Sequence, residues 1–144
     1  MKNIRHIGLV VADIEKALEF YQDLLGLKIQ GTTDEKGDFI NQLFANESVE
    51  LKTIKLSADD NATRIELLEF ANSKSNINKK TELFGSGFTH VALTINNLDE
   101  TYLRLREAGI QFNCPPKLSP NGKLKVTFCR DFEGNYIELI EEIL

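Results

Sequence analysis

The sequence predicts an α+β fold in which two pseudo-repeated βαβββ modules form an open, curved, mixed sheet with helices on its outer face. Three observations carry that reading. Residues 88–95 (FTHVALTI) have a twin in residues 4–11 (IRHIGLVV), a histidine followed by an apolar strand. Each twin runs into an amphipathic helix that stops at a glycine, 20 residues from His6 to Gly26 and 19 from His90 to Gly109. Each half then closes on a second twin, Ile65-Glu66-Leu67-Leu68-Glu69 and Ile137-Glu138-Leu139-Ile140-Glu141. The modules are placed at about 1–71 and 87–144 of a single domain spanning 1–144, with a linker at about 72–86 that is richest in Asn, Ser and Lys.

The elements follow in order. A β-branched, apolar strand covers 4–12, and Asp13 is a simple N-cap, with Lys16 where a capping-box glutamate would stand. Ile14, Ala17, Leu18, Tyr21, Leu24 and Leu25 recur at helical steps, Gly26 stops the helix, and Leu27-Lys28-Ile29 opens a strand. Residues 31–47 read as a polar loop carrying a short helical turn through Phe39, Ile40, Leu43 and Phe44. An alternating strand at 48–57, a turn at Asp59-Asp60-Asn61 and a strand at 64–70 complete the first half. The second half reads as strand 88–95, helix 97–108, strand 110–113, then strands 123–130 and 135–142. Pro115-Pro116 keeps the strand before it from being central, and Asn121-Gly122 is a hairpin turn. His6 to Glu66 is 60 residues and His90 to Glu138 is 48, so the first half carries an insertion near 31–47 on a shared plan.

Composition narrows the function. A net charge of −5 disfavours nucleic acid, which needs a basic face, and no apolar run reaches a membrane span. A strand begins within four residues of Met1, which is read as leaving no room for a signal peptide. Cys114 and Cys129 have no metal-type spacing, and neither sits at a helix start or beside a histidine in sequence. The expectation is a cytoplasmic protein with reduced thiols and no catalytic cysteine.

The polar residues inside the twin strands carry the chemistry. In a strand alternate residues share a face, so His6 faces with Gly8 and Val10, and Glu66 and Glu138 oppose their isoleucine and leucine neighbours. Any one of these residues taken alone reads as ordinary packing or surface. The chain, however, has only two histidines, and they occupy equivalent places in a repeat, as do the two Ile-Glu-Leu motifs. His6, Glu66, His90 and Glu138 are therefore expected to bind one divalent ion, since imidazole and carboxylate suit Zn, Ni, Co, Mn or Fe. Glu69, Glu141 and Glu142 read as solvent-facing or strand-end charges, and Asp34, Glu35 and Asp38 as loop charge. Phe39, Leu43 and Phe44 are a candidate wall over the substrate, with packing on the sheet edge as the plain alternative.

These pieces resemble the vicinal oxygen chelate superfamily, the glyoxalase/bleomycin-resistance/dioxygenase group, over nearly the whole chain. The matching residues are His6 through Asp13, Phe20-Tyr21 with Leu25-Gly26-Leu27, Ile65 through Glu69, His90 through Leu93, and Asp131 through Asn135 leading to Ile137-Glu138-Leu139. The chain resembles glyoxalase I (lactoylglutathione lyase) and methylmalonyl-CoA epimerases in particular. The resemblance implies a metal-dependent lyase, isomerase or epimerase acting on a small-molecule substrate, with His6, Glu66, His90 and Glu138 as ligands. It implies Glu138 as ligand and general base, Glu66 as the second acid/base, and a homodimer. Alternatives within the superfamily are an oxygenase, a thiol transferase, or a non-catalytic binding or resistance protein. Two departures from glyoxalase I concern glutathione. Val10 stands where an arginine would be, and Phe70 where an asparagine would be. The turn Asp131-Phe132-Glu133-Gly134 also replaces the usual Asp-Pro-Asp-Gly.

Overall fold

The computed structural model describes residues 2–59, 62–71 and 82–143. The chain divides into two compact units, Met1–Asn78 and Lys79–Leu144. Most of the polar stretch read as a linker, and two of the three residues of the turn at Asp59-Asp60-Asn61, lie outside the described residues.

Both units follow the βαβββ plan. The first has β1 (His6–Val10), α1 (Ile14–Leu18), β2 (Lys28–Lys36), α2 (Asp38–Leu43), β3 (Glu50–Ser57) and β4 (Arg64–Phe70). The second has β5 (His90–Thr94), α3 (Leu98–Glu107), β6 (Lys117–Leu118), β7 (Leu124–Arg130) and β8 (Tyr136–Glu142). The strands fall into two four-stranded sheets of identical order, β1-β4-β3-β2 and β5-β8-β7-β6. In each, one parallel pair (β1 with β4, β5 with β8) joins antiparallel neighbours, so both sheets are mixed.

The registers of the two parallel pairs coincide. Gly8 lies opposite Glu66 and Ala92 opposite Glu138, with each histidine two residues earlier on its strand. Partners in register point to the same side, so each histidine shares a face with its glutamate. The other face is the packed one. It holds Ile65, Leu67, Ile54 and Leu56 in the first unit and Ile137, Leu139, Cys129 and Thr127 in the second, all buried. Helix α1 lies against β4 and α3 against β8, and Ile14, Ala17 and Tyr21 bury where Leu98, Thr101 and Leu105 do in the second unit.

The capping expected from sequence is present. Asp13 Oδ1 accepts from Lys16 N at 3.0 Å and Asn97 Oδ1 from Glu100 N at 3.2 Å. The one-residue difference in helix length also has a structural form. After Leu18 the first helix widens into a π-helical segment, Glu19–Leu24, with Leu25 N bonding back to Phe20 O at 3.0 Å. One wide turn absorbs the extra residue and lets both units reach the same left-handed glycine stop, Gly26 (φ 79) and Gly109 (φ 84). Phe20, absent from the periodic set read in the sequence, is fully buried on this segment.

Four readings are corrected. Residues 31–36 are strand rather than loop: β2 continues to Lys36 and pairs with β3 from Gly31↔Lys55 to Lys36↔Glu50 after an irregularity between Ile29 and Gly31. Asp34 and Glu35 are therefore strand residues and Asp38 opens α2. The local polarity looked like a loop, but an antiparallel ladder supplies the hydrogen bonds that polarity alone cannot reveal. Residues 110–113 form no strand. Phe112 makes one isolated bridge to Cys129, and pairing resumes after Pro115-Pro116 as the two-residue β6. Strand β3 does not alternate cleanly, because Thr53 and Ile54 are both buried, one on each face. Lastly, Glu69 and Glu141 are not solvent charges. Glu69 Oε1 accepts from Ile14 N at 3.0 Å and Glu141 Oε2 from Leu98 N at 3.2 Å, each holding the first turn of its helix to the sheet.

Candidate metal centre

The face opposite α1 and α3 is where the predicted ligands stand. Strand β1 is an edge strand beside β4, and β5 an edge strand beside β8, so each histidine is half exposed while its glutamate is mostly covered. His6 Nε2 lies 3.2 Å from Glu66 Oε2, and His90 Nε2 lies 3.3 Å from Glu138 Oε2. Each unit thus brings together its two predicted residues in the same way. Beyond these pairs, no group of three or more His, Cys, Asp or Glu side chains gathers as a metal cluster among the described residues.

The pairs fit a metal ion. Two donors bound at about 2.1 Å with an angle near 100° between them stand about 3.2 Å apart, the spacing both pairs have. Each pair presents an imidazole nitrogen and a carboxylate oxygen, a set suited to borderline divalent ions. Each supplies two donors, half of a four-coordinate shell. His90 has a further support: Thr89 Oγ1 lies 2.9 Å from Nδ1. With the Nδ1 proton directed there, Nε2 keeps its lone pair for a ligand role.

The surroundings of the two glutamates differ. Lys55 lies across the ladder from Glu66, its Nζ 3.4 Å from Oε1. The equivalent place in the second unit, opposite Glu138, belongs to Phe128, which packs edge-on against His90 with ring centroids 5.2 Å apart. No Lys or Arg side chain pairs with Glu138 among the described residues; its partner is His90. Arg130, the cation at the end of β7, is committed elsewhere: it stacks on the Tyr136 ring at 3.8 Å and donates to Tyr136 Oη and to the Gly134 carbonyl, each at 2.5 Å.

The insertion of the first half also meets this face. Ile40 of α2 is buried with Val49 and Leu51, and Leu68 and Phe70 pack against them. Leu51, Leu68 and Phe70 are on the same side of the sheet as Glu66, so α2 covers the far end of the candidate site face. Phe44 stacks edge-on with Phe70 at 5.3 Å, while Phe39 and Leu43 remain exposed. Val10 is exposed on β1.

The thiols stand apart from this chemistry. Cys129 is fully buried on the packed face, and burial pushes it up to about 12, so it stays a thiol. The turn between β7 and β8 is organised by Asp131, whose carboxylate accepts from Glu133 N, Asn135 N and Asn135 Nδ2. Those three bonds hold the turn without the usual proline.

Two βαβββ units with sheets of the same strand order define the class of fold. Residues 3–139 match the Glyoxalase/Bleomycin resistance protein/Dioxygenase superfamily, and the chain belongs to it. It is 28% identical over 144 residues to the uncharacterized protein YwkD of Bacillus subtilis (99% of this chain, 98% of that protein). It is 24% identical over 139 residues to lactoylglutathione lyase of Escherichia coli O157:H7 (95% and 90%). A glyoxalase family protein of Bacillus cereus shares the fold with a TM-score of 0.89 at 21% identity, covering 100% of this chain and 96% of that one.

Proposed function

We propose that this chain is a divalent-metal-dependent lyase or isomerase of the glyoxalase-like type, moving a proton next to a carbonyl of a small chelating substrate. His6, Glu66, His90 and Glu138 bind one ion, and the protein acts as a homodimer in the cytoplasm. The observation that carries the proposal is the equivalent His–Glu pair in each unit, at 3.2 and 3.3 Å. Distant relatedness to lactoylglutathione lyases supports the same class of chemistry.

When bound, the ion would act as a Lewis acid that favours ionisation of the carbon next to the substrate carbonyl. The chain's own residues do the rest. Glu138 takes the proton at a carboxylate oxygen and returns it, because no Lys or Arg among the described residues claims its oxygens. Glu66 is the second acid/base, held more firmly by Lys55. Thr89 orients His90. The edge positions of β1 and β5 leave the histidines open to a substrate.

The test is metal analysis of protein purified without chelator or affinity tag, followed by titration with zinc and nickel. Wild type is expected to bind one ion per site, and His6→Ala and His90→Ala each to weaken binding by about 100-fold or more, beyond what outer partners of a ligand cost. Wild type that takes up no divalent ion, or variants that bind as wild type does, would sink the proposal.

A further inference from the structure

The cations of the two units fall into two kinds. On the packed face they repeat. Lys52 Nζ pairs with Glu15 at 3.2 Å, and Lys125 Nζ with the equivalent Asp99 at 2.6 Å. A cation the module needs for folding is thus present in both copies. On the other face they do not repeat. Lys55 is answered in the second unit by Phe128, and Arg64 by Tyr136.

Lys55 and Arg64 flank Glu66 from two directions. Lys55 is across the ladder, and Arg64 is two residues back along β4, opposite His6. That second step is roughly 6.6 Å along a strand. The Arg64 guanidinium has no hydrogen-bond or ion-pair partner among the described residues, and both side chains are only partly covered. Two cationic residues therefore share the face of one carboxylate, Lys55 paired with it and Arg64 not, in a chain whose net charge is −5. A simple cross-strand ion pair would need only one of them. With the Glu66 charge given to a metal ion, the pair is a local positive focus for an anion.

We propose that Lys55 and Arg64 form an anion subsite next to the His6–Glu66 ligands, specific for a substrate whose chelating oxygens are joined to a carboxylate or similarly charged group. This rests on the metal-site reading above. It names two specificity-determining residues and places the substrate's charged end beside the His6–Glu66 pair of the first unit.

The experiment compares two chelators that differ by one carboxylate, catechol and 3,4-dihydroxybenzoate, binding to zinc-loaded protein in a calorimeter. Zinc affinity is measured first for every variant. Lys55→Met and Arg64→Met are each expected to weaken 3,4-dihydroxybenzoate by about tenfold, the loss of one charge-assisted contact. Catechol should change less than twofold, Lys55→Arg should retain most of the preference, and Lys125→Met, with the same charge change on the packed face, should alter neither ligand. Normal zinc binding with an unchanged preference in Lys55→Met and Arg64→Met overturns the subsite alone. Absence of zinc binding in wild type overturns the subsite together with the metal reading.

Discussion

In the first unit Lys52 reaches Glu15 and Glu69 holds the start of α1; in the second Lys125 reaches Asp99 and Glu141 holds the start of α3. The packed faces match in detail, down to which strand glutamate accepts which helix N–H. The opposite faces have diverged at Gly8/Ala92, Lys55/Phe128, Arg64/Tyr136 and Phe70/Glu142, and keep in common the histidine and the glutamate. The contrast separates two reasons for a residue to recur in a duplicated chain. Glu69 and Glu141 recur because each helix needs its N-terminus satisfied. His6/His90 and Glu66/Glu138 recur on the opposite face, where each histidine pairs with its glutamate rather than with a helix, the arrangement on which the proposed metal site rests.

The largest expected effect tests the matched faces. Leu67 and Leu139 are both fully buried at equivalent places. Leu67→Ala and Leu139→Ala should each cost about 2–5 kcal/mol in urea denaturation, and by similar amounts. A loss in one several-fold larger than in the other would show that the packing is not equivalent.

The next concerns the diverged faces. Turnover of the methylglyoxal–glutathione hemithioacetal, followed optically with nickel- and zinc-loaded protein, is expected to be weak. Two missing charge-assisted or amide contacts, at roughly 1.5–3 kcal/mol each, cost about 100-fold or more in kcat/KM. Val10→Arg changes an exposed strand position and should raise that turnover about tenfold. Phe70→Asn is a poorer test, because Phe70 packs on α2 through Phe44 and its loss should cost about 2 kcal/mol. Wild-type efficiency within tenfold of an authentic lactoylglutathione lyase would show that Val10 and Phe70 do not exclude glutathione.

The smallest effect returns to the repeat. Glu69→Ala and Glu141→Ala each remove the acceptor of one helix N–H and an anion at a helix start, at a cost of about 1 kcal/mol each by thermal denaturation. Glu142→Ala, at an exposed strand end, should cost much less. Equal, negligible losses at all three would mean that water replaces the Glu69 and Glu141 carboxylates without penalty.

Much of this was legible in the amino-acid order. The βαβββ plan, the caps Asp13 and Asn97, the glycine stops and the insertion in the first half follow from local signals: period, cap chemistry and spacing. The pairing of each histidine with a glutamate was readable too, because strand alternation fixes the face and the repeat fixes the correspondence. The 20- against 19-residue spacing was visible as a number, while its form as a π-helical turn was not, since hydrogen-bond partners along a helix are chosen by what the flanking turns must pack against.

Tertiary structure alone decided the rest. Strand β2 runs to Lys36 because β3 is there to pair with it; no periodicity in Gly31 through Lys36 says so. Glu69 and Glu141 stand three residues after Glu66 and Glu138 in the same motif, on the other face, and that they meet a helix N–H there is decided only by where the helix packs. Lys55 and Phe128 are far from their glutamates along the chain and meet them only through the ladder register. A sequence fixes which face a side chain takes, because that depends on backbone geometry one residue at a time. What stands across from it depends on strands tens of residues away, and only the folded sheet brings those together.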